Sequence, residues 1–147
     1  MQIKVKILSN LIKNLTPYGS PGSAGLDLCA CINKKVELNP NTVKLVPTGI
    51  AIFLEDENYA GLILPRSGLG HKKGLVLGNL IGLIDSDYQG DLMISCWYRG
   101  TEKIVIEPLT RIAQLVIVPV KRVSFEVVQE FNKNQRGESG FGSTGLS

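Results

Sequence analysis

Gly82-Leu83-Ile84-Asp85-Ser86-Asp87-Tyr88-Gln89-Gly90 is the segment from which the rest of the chain is read. An apolar strand runs into an acidic turn, and a tyrosine and a glycine lead out of it. Strand, tight turn and returning strand predict a β-hairpin. Acids in hairpins usually sit at the tip, in water. Asp85 comes earlier, beside Leu83 and Ile84. A carboxylate held against apolar side chains is a candidate base, because partial desolvation raises its proton affinity. An ordinary solvated turn is the competing reading, and the neighbouring sequence weighs between the two.

Outward from this segment the chain reads as short strands. Ile3, Val5 and Ile7 alternate with Lys4 and Lys6, which predicts a half-buried strand. Val43–Val46, Gly49–Leu54, Tyr59–Leu64, Leu75–Leu77, Leu80–Ile84, Leu92–Trp97, Lys103–Ile106, Ile112–Val118 and Phe125–Val128 follow. Pro40, Pro47, Pro65, Gly100, Pro108 and Pro119 punctuate them. Many short strands with turn residues between them predict an all-β fold, a jelly roll or distorted β-barrel. One short helix at most fits after Pro65. The chain has 147 residues, 44% of them hydrophobic, enough for a single domain with its own core. The expected division is a β-barrel domain over 1–131 and a flexible, glycine-rich tail over 132–147. That tail carries Gly137, Gly140, Gly142 and Gly145, and also Arg136 and Phe141, which a merely solubilising tail does not need.

Composition excludes several function classes. No apolar run is long enough to cross a bilayer, and Met1–Ile7 reads as a strand rather than a signal-peptide core. A cytoplasmic protein without a membrane partner is expected. Three cysteines, Cys29, Cys31 and Cys96, give an odd count without framework spacing, so they read as small buried hydrophobes rather than disulfides. The single histidine, His71, belongs to no Cys/His cluster of zinc spacing. The net charge of +3 suits a polyphosphate ligand. The basic residues are scattered, without interleaved aromatics, so no nucleic-acid partner is expected.

Three constellations carry chemistry. Pro65-Arg66-Ser67-Gly68 combines a rigid start, a guanidinium, a hydroxyl and a glycine. At the start of a short helix these suit a phosphate, while a strand end followed by an exposed turn is the alternative. Gly140-Phe141-Gly142-Ser143-Thr144-Gly145 has the G-x-G-x-x-G form, but no βαβ unit surrounds it, so the dinucleotide-fold reading fails. Such a strip still presents backbone N–H groups to phosphates, with Phe141 placed to stack on a base. Asp27, within Ala24-Gly25-Leu26-Asp27-Leu28, either bonds a turn or reaches a metal–phosphate through water. A Ser67–His71–Asp85 triad is rejected, because no nucleophile elbow surrounds Ser67.

Taken together and in order, five stretches resemble the homotrimeric dUTPase family, most closely its bacterial members. They are Ala24–Leu28, Pro65–Gly70, Gly78–Gly90, Arg111–Leu115 and Arg136–Gly145. The resemblance implies a β-jelly-roll subunit and a closed homotrimer with three active sites, each shared between chains. It implies hydrolysis of dUTP to dUMP and pyrophosphate with Mg²⁺, which limits uracil entry into DNA and supplies dUMP for thymidylate synthesis. It gives Asp85 the role of general base for water attack on the α-phosphorus. Asn79 and the backbone near Leu83 and Ile84 would bind the uracil edge. Tyr88 would pack against the deoxyribose, and Met93 would complete the pocket. Arg66, Ser67, Gly68 and Gln114 would hold the phosphates. Asp27 would contact the metal indirectly, through water. The tail would close as a lid, with Phe141 over uracil and Arg136 on the phosphates. The related dCTP-deaminase class needs an acid/base group at the pyrimidine C4, and the segment offers no Glu for it.

Overall fold

The computed structural model describes residues 1–15 and 18–132. In chain order they form β1 (Lys4–Ile7), β2 (Leu26–Cys29), β3 (Val36–Leu38), β4 (Val43–Phe53), β5 (Tyr59–Pro65), α1 (Ser67–Lys73), β6 (Leu75–Leu77), β7 (Gly82–Ile84), β8 (Asp91–Tyr98), β9 (Ile104–Ile106) and β10 (Arg111–Pro119). Two four-stranded antiparallel sheets, ordered β1-β4-β8-β6 and β2-β10-β5-β7, face each other, and β3 pairs with β9. This is the all-β, jelly-roll-like architecture expected from the short strands. Leu28, Ile63, Ala113 and Leu115 from one sheet meet Val46, Ile52, Leu92, Ile94 and Cys96 from the other, all buried in one core. Each fully buried aliphatic side chain contributes about 1.5–3 kcal/mol.

Period-two alternation is cleanest in β8. Leu92, Ile94, Cys96 and Tyr98 point inward, while Met93 and its neighbours point outward. Burial pushes the Cys96 thiol up to about 12, so it is a packing residue and no nucleophile. The single helix falls after Pro65, where it was expected, and Gly74 caps its C-terminus in the left-handed conformation at φ +70°.

Four expectations are corrected. Val43–Val46 and Gly49–Leu54 are one strand, β4, which runs through Pro47. A register shift between Pro47 and Ala51 absorbs the proline's missing N–H, and Gly49 lies within it at φ +72°. The Gly82–Gly90 segment is not a hairpin of paired strands. β7 pairs with β5, and β8 pairs with β4 and β6. The residues between Ile84 and Asp91 turn a corner from one sheet to the other, since β8 must bring Leu92 and Ile94 into the inter-sheet core. β1 is exposed along its length, because it is an edge strand with a neighbour on one side only. Finally, Phe125–Val128 forms no strand. Phe125 is 93% and Val127 97% exposed, for want of a partner strand among the described residues.

No helix among the described residues is long and apolar enough to cross a membrane.

Candidate active site

Three adjacent strands build the first concavity. Asp27 of β2, Gln114 of β10 and Leu64 of β5 lie in one register row. Leu28, Ala113 and Leu115 turn inward, so Asp27 and Gln114 face out. β5 then ends at Pro65 and delivers Arg66 to the N-cap of α1. Asp27 joins these parts. Its Oδ1 accepts from Arg66 Nε at 2.8 Å and its Oδ2 from Arg111 Nη1 at 3.1 Å. Gln114 Nε2 donates to the Pro65 carbonyl at 3.0 Å. The concavity is about 710 Å³, and Asp27, Arg66, Ser67, Gly68, Lys72, Lys73, Arg111 and Gln114 all line it. Four cationic side chains against one carboxylate leave the lining positive. The first turn of α1 contains no acid, and no side chain caps its N-terminus. Paired, forked donors of this kind suit phosphate oxygens.

Arg111 is a functional candidate that sequence reasoning missed. Strict alternation from Gln114 would turn it inward. A register shift between Arg111 and Ala113 buries Ile112 and Ala113 in succession and returns Arg111 to the outer face. The signals were the family-like stretch Arg111–Leu115 and, within it, the adjacent apolar pair Ile112 and Ala113 between two polar residues.

The second concavity, about 620 Å³, holds Asp85. Leu83, Ser86, Asp87, Glu55, Glu57, Tyr59 and Arg122 also line it, with Arg122 ion-paired to Glu57. The turn is closed by the Tyr88 N–H donating to the Asp85 carbonyl at 3.2 Å. Its tip is tied to the end of β4, where the Glu55 N–H donates to the Ser86 carbonyl at 3.1 Å. Asp85 is exposed and Leu83 is 64% exposed. The apolar shielding expected around Asp85 is therefore not supplied by this chain alone, because β7 turns Leu83 outward rather than over the carboxylate.

The structure thus gathers Asp27, Arg66, Ser67, Gly68 and Gln114 in one place and Leu83 and Asp85 in another. The two concavities share no lining residue. Ile84 is half-buried, and Asn79, Tyr88 and Met93 are exposed. None of these four lines either concavity. Ser67 and His71 sit on α1, apart from the Asp85 concavity, so no triad assembles. Arg136 and Phe141 lie outside the described residues.

Behind the turn, Asp91 opens β8. Its carboxylate accepts from the Gly49 N–H, yet its Oδ1 is buried without a partner among the described residues. Burial pushes its carboxyl above the ordinary carboxylate value, and the Gly49 bond only partly opposes this. A raised carboxyl favours the fold when protonated and loses that contribution as pH rises through the folded value. Asp91→Asn, which keeps an acceptor for Gly49, should therefore raise Tm at pH 7 by about 3 °C, or ~1 kcal/mol. The advantage should vanish below about pH 4, where the parent is protonated as well. Calorimetry from pH 3 to 8 checks this, and a lower Tm at pH 7 would show that the charge has a partner.

A family model described as dUTPase matches residues 13–145. The deoxyuridine 5'-triphosphate nucleotidohydrolase of Bordetella avium is 60% identical over 146 residues, 99% of this chain and 98% of that protein. That of Polynucleobacter asymbioticus is 58% identical over 144 residues, 97% of each. Among solved structures, Staphylococcus bacteriophage 80alpha dUTPase with dUPNHPP superposes with a TM-score of 0.86 at 30% identity, covering 99% of both chains. A mutant dUTPase of phage phi11 of S. aureus, described with the coordination of a structural Mg(II) ion, shares the fold. Its TM-score is 0.80 at 24% identity, over 90% of this chain and 100% of that one. These relatives, with the antiparallel β fold and the cationic concavity set on β2, β10 and α1, define a nucleotide hydrolase. The chain belongs to the dUTPase family, whose reaction is the hydrolysis of dUTP to dUMP and pyrophosphate.

Proposed function

We propose that this chain cleaves dUTP at the α-phosphate, in active sites completed between the subunits of a homotrimer. One observation carries the reading: the Asp85 concavity and the Arg66–Asp27–Arg111–Gln114 cluster do not meet within one chain. A second copy can bring the Asp85 turn of one subunit over the cationic concavity of another. An exposed apolar face supports such an assembly. Val43, Leu45 and Met93 are 53%, 67% and 41% exposed, and the register of β4 against β8 places them on one side of the sheet. Leu80, Ile81 and Leu83 are likewise exposed, at 69%, 54% and 64%.

Within the completed site each residue has a physical task. Asn79 and the backbone about Leu83 and Ile84 bind the uracil edge. Cytosine reverses the donor and acceptor pattern there, leaving buried polar groups unpaired. Tyr88 packs against the deoxyribose, and Met93 closes the pocket floor. Arg66, Ser67, Gly68, Gln114 and, newly, Arg111 hold the phosphate oxygens. Asp85 accepts a proton from the attacking water, which lies in line with the leaving pyrophosphate. Closure by the tail, with Arg136 on phosphate and Phe141 over the base, excludes bulk water. The division into a barrel over 1–131 and a lid over 132–147 follows from this role.

The residues present fit Mg²⁺ bound mainly by substrate. Among the described residues no three His, Cys, Asp or Glu side chains form a cage. Both Asp27 oxygens are engaged by guanidinium groups, and the carboxylate retains lone pairs for the water of a hydrated cation. When bound, Mg²⁺ neutralises charge on the phosphate oxygens. Four cationic side chains share one concavity of nucleotide size, which supports a small-molecule partner over nucleic acid or a membrane; the cytoplasm is the compartment we propose for it.

The test uses mixed trimers. Asp85→Asn and Arg66→Ala are each expected to be inactive. Refolded together in equal amounts, they should recover about a quarter of wild-type activity, because one site in four then combines an intact turn with an intact concavity from another chain. No recovery in verified mixed trimers would place the whole site in a single subunit.

A further inference from the structure

Tyr88 is held at two points. Its phenol folds back over the next two residues and donates to the Asp91 carbonyl at 3.0 Å. That acceptor belongs to β8, where Asp91 pairs with Ala51 of β4 and its carboxylate takes the Gly49 N–H. The second point is a contact that only glycine permits. A Cβ at position 90 would stand 2.4 Å from the Tyr88 hydroxyl oxygen, 2.7 Å from Cζ and 3.1 Å from Cε2. Cβ contacts under 3.0 Å essentially never occur in folded proteins, and two of these three are that short, so any side chain at 90 displaces the ring. Gly90 itself lies outside the left-handed region, so an L-residue there meets no backbone strain. The whole conflict falls on the far end of one side chain at the surface, where Tyr88 is 43% exposed.

We infer that Gly90 is a positioning residue for sugar selection: by letting the Tyr88 ring lie down against the turn and reach the Asp91 carbonyl, it makes that ring a fixed wall. The inference rests on the proposed reading that Tyr88 packs against the deoxyribose. The distinction between a fixed and a movable wall matters for the chemistry. An apolar surface that can give way rejects an added hydroxyl by only about 100-fold. A ring tethered through its own hydroxyl, with the floor beneath it cut to a hydrogen atom, cannot retreat to admit a 2′-hydroxyl. The selection is then built from three neighbouring positions, Tyr88, Gly90 and Asp91, of which only Tyr88 need touch the substrate. Gly90 acts through the ring and is silent toward the uracil edge.

The test measures kcat/KM for dUTP, UTP and dCTP in the full-length protein. The variants are Gly90→Ala, Tyr88→Phe, Tyr88→Ala and the double variant Gly90→Ala with Tyr88→Ala. Gly90→Ala should lower the dUTP-to-UTP ratio about tenfold or more, with the dUTP-to-dCTP ratio unchanged within about twofold. Tyr88→Phe keeps the ring and loses the tether, so its dUTP-to-UTP ratio should fall between parent and Gly90→Ala. Adding Gly90→Ala to Tyr88→Ala should change neither ratio further. If Tyr88→Ala lowers the dUTP-to-UTP ratio and Gly90→Ala does not, the positioning role is overturned. If Gly90→Ala lowers both ratios together, the glycine supports the whole turn and the specific role fails. If Tyr88→Ala leaves the dUTP-to-UTP ratio intact, the placement of Tyr88 on the sugar is itself wrong.

Discussion

Asp85→Asn is expected to lower kcat for dUTP by about 10²–10⁴-fold, the usual contribution of a positioned general base. The amide is nearly isosteric with the carboxylate, so the turn should keep the Tyr88-to-Asp85 backbone bond that closes it. KM should move little, and a non-hydrolysable dUTP analogue should bind with nearly parental affinity, because the uracil and phosphate contacts come from other groups. Loss of kcat with retained binding identifies an interaction needed only in the transition state. Near-parental turnover in a folded Asp85→Asn protein would remove Asp85 from the chemistry. The exposure of Asp85 in the lone chain adds a condition. If Asp85 is the base, as we propose, its water-excluding environment must be assembled around it by another copy or by closure.

The second large effect concerns Asp27. Asp27→Asn leaves Arg66 and Arg111 without the carboxylate that receives Nε from one and Nη1 from the other. The two guanidinium groups then repel each other and lose their fixed spacing over the concavity. Misplacement of substrate-holding groups by about an ångström costs on the order of 100-fold in rate. A fall of that size in kcat/KM is expected, and it should persist at saturating Mg²⁺. Full recovery on raising Mg²⁺ would mean that Asp27 acts through a metal-bound water and does not serve to hold the two arginines. Thermal unfolding of the same variant separates a rate effect from loss of the fold.

Much of this fold was legible because burial in a two-layer β structure imposes a period of two, and Leu92–Trp97 carries it cleanly. The helix was legible only as the one short helix that the segment after Pro65 could hold, and its glycine cap at Gly74 was not read. What escaped was non-local. Pro47 reads as a break, yet a register shift lets β4 continue past it. β7 and β8 look like the arms of one hairpin, while their partners are in different sheets. Val123, Phe125 and Val127 have the pattern of a strand, but a strand needs a neighbour, and the described residues offer them none. Within the site the residue types and their grouping about Arg66 were readable from sequence. The outward turn of Arg111 was not, since it depends on a bulge that breaks the alternation used to read it. The setting of Asp85 was not readable either, because shielding is a property of whatever packs over the turn.

Gly49 and Gly90 look alike in a sequence and answer to different forces. A Cβ at 49 would stand 2.4 Å from Cys31 Sγ and 2.9 Å from Cys31 Cβ, with the backbone already at φ +72° and the cysteine buried in the interior. Nothing there can yield. At 90 the obstacle is a surface ring, which an added side chain would push off its tether to the Asp91 carbonyl and out toward solvent. In a saturation library grown under selection, the column at 49 should be empty of everything but glycine. The column at 90 should fill with survivors whose altered diet is visible only when ribonucleotides compete. One glycine guards the existence of the protein and the other its taste, and drift in the lineage can explore only the second.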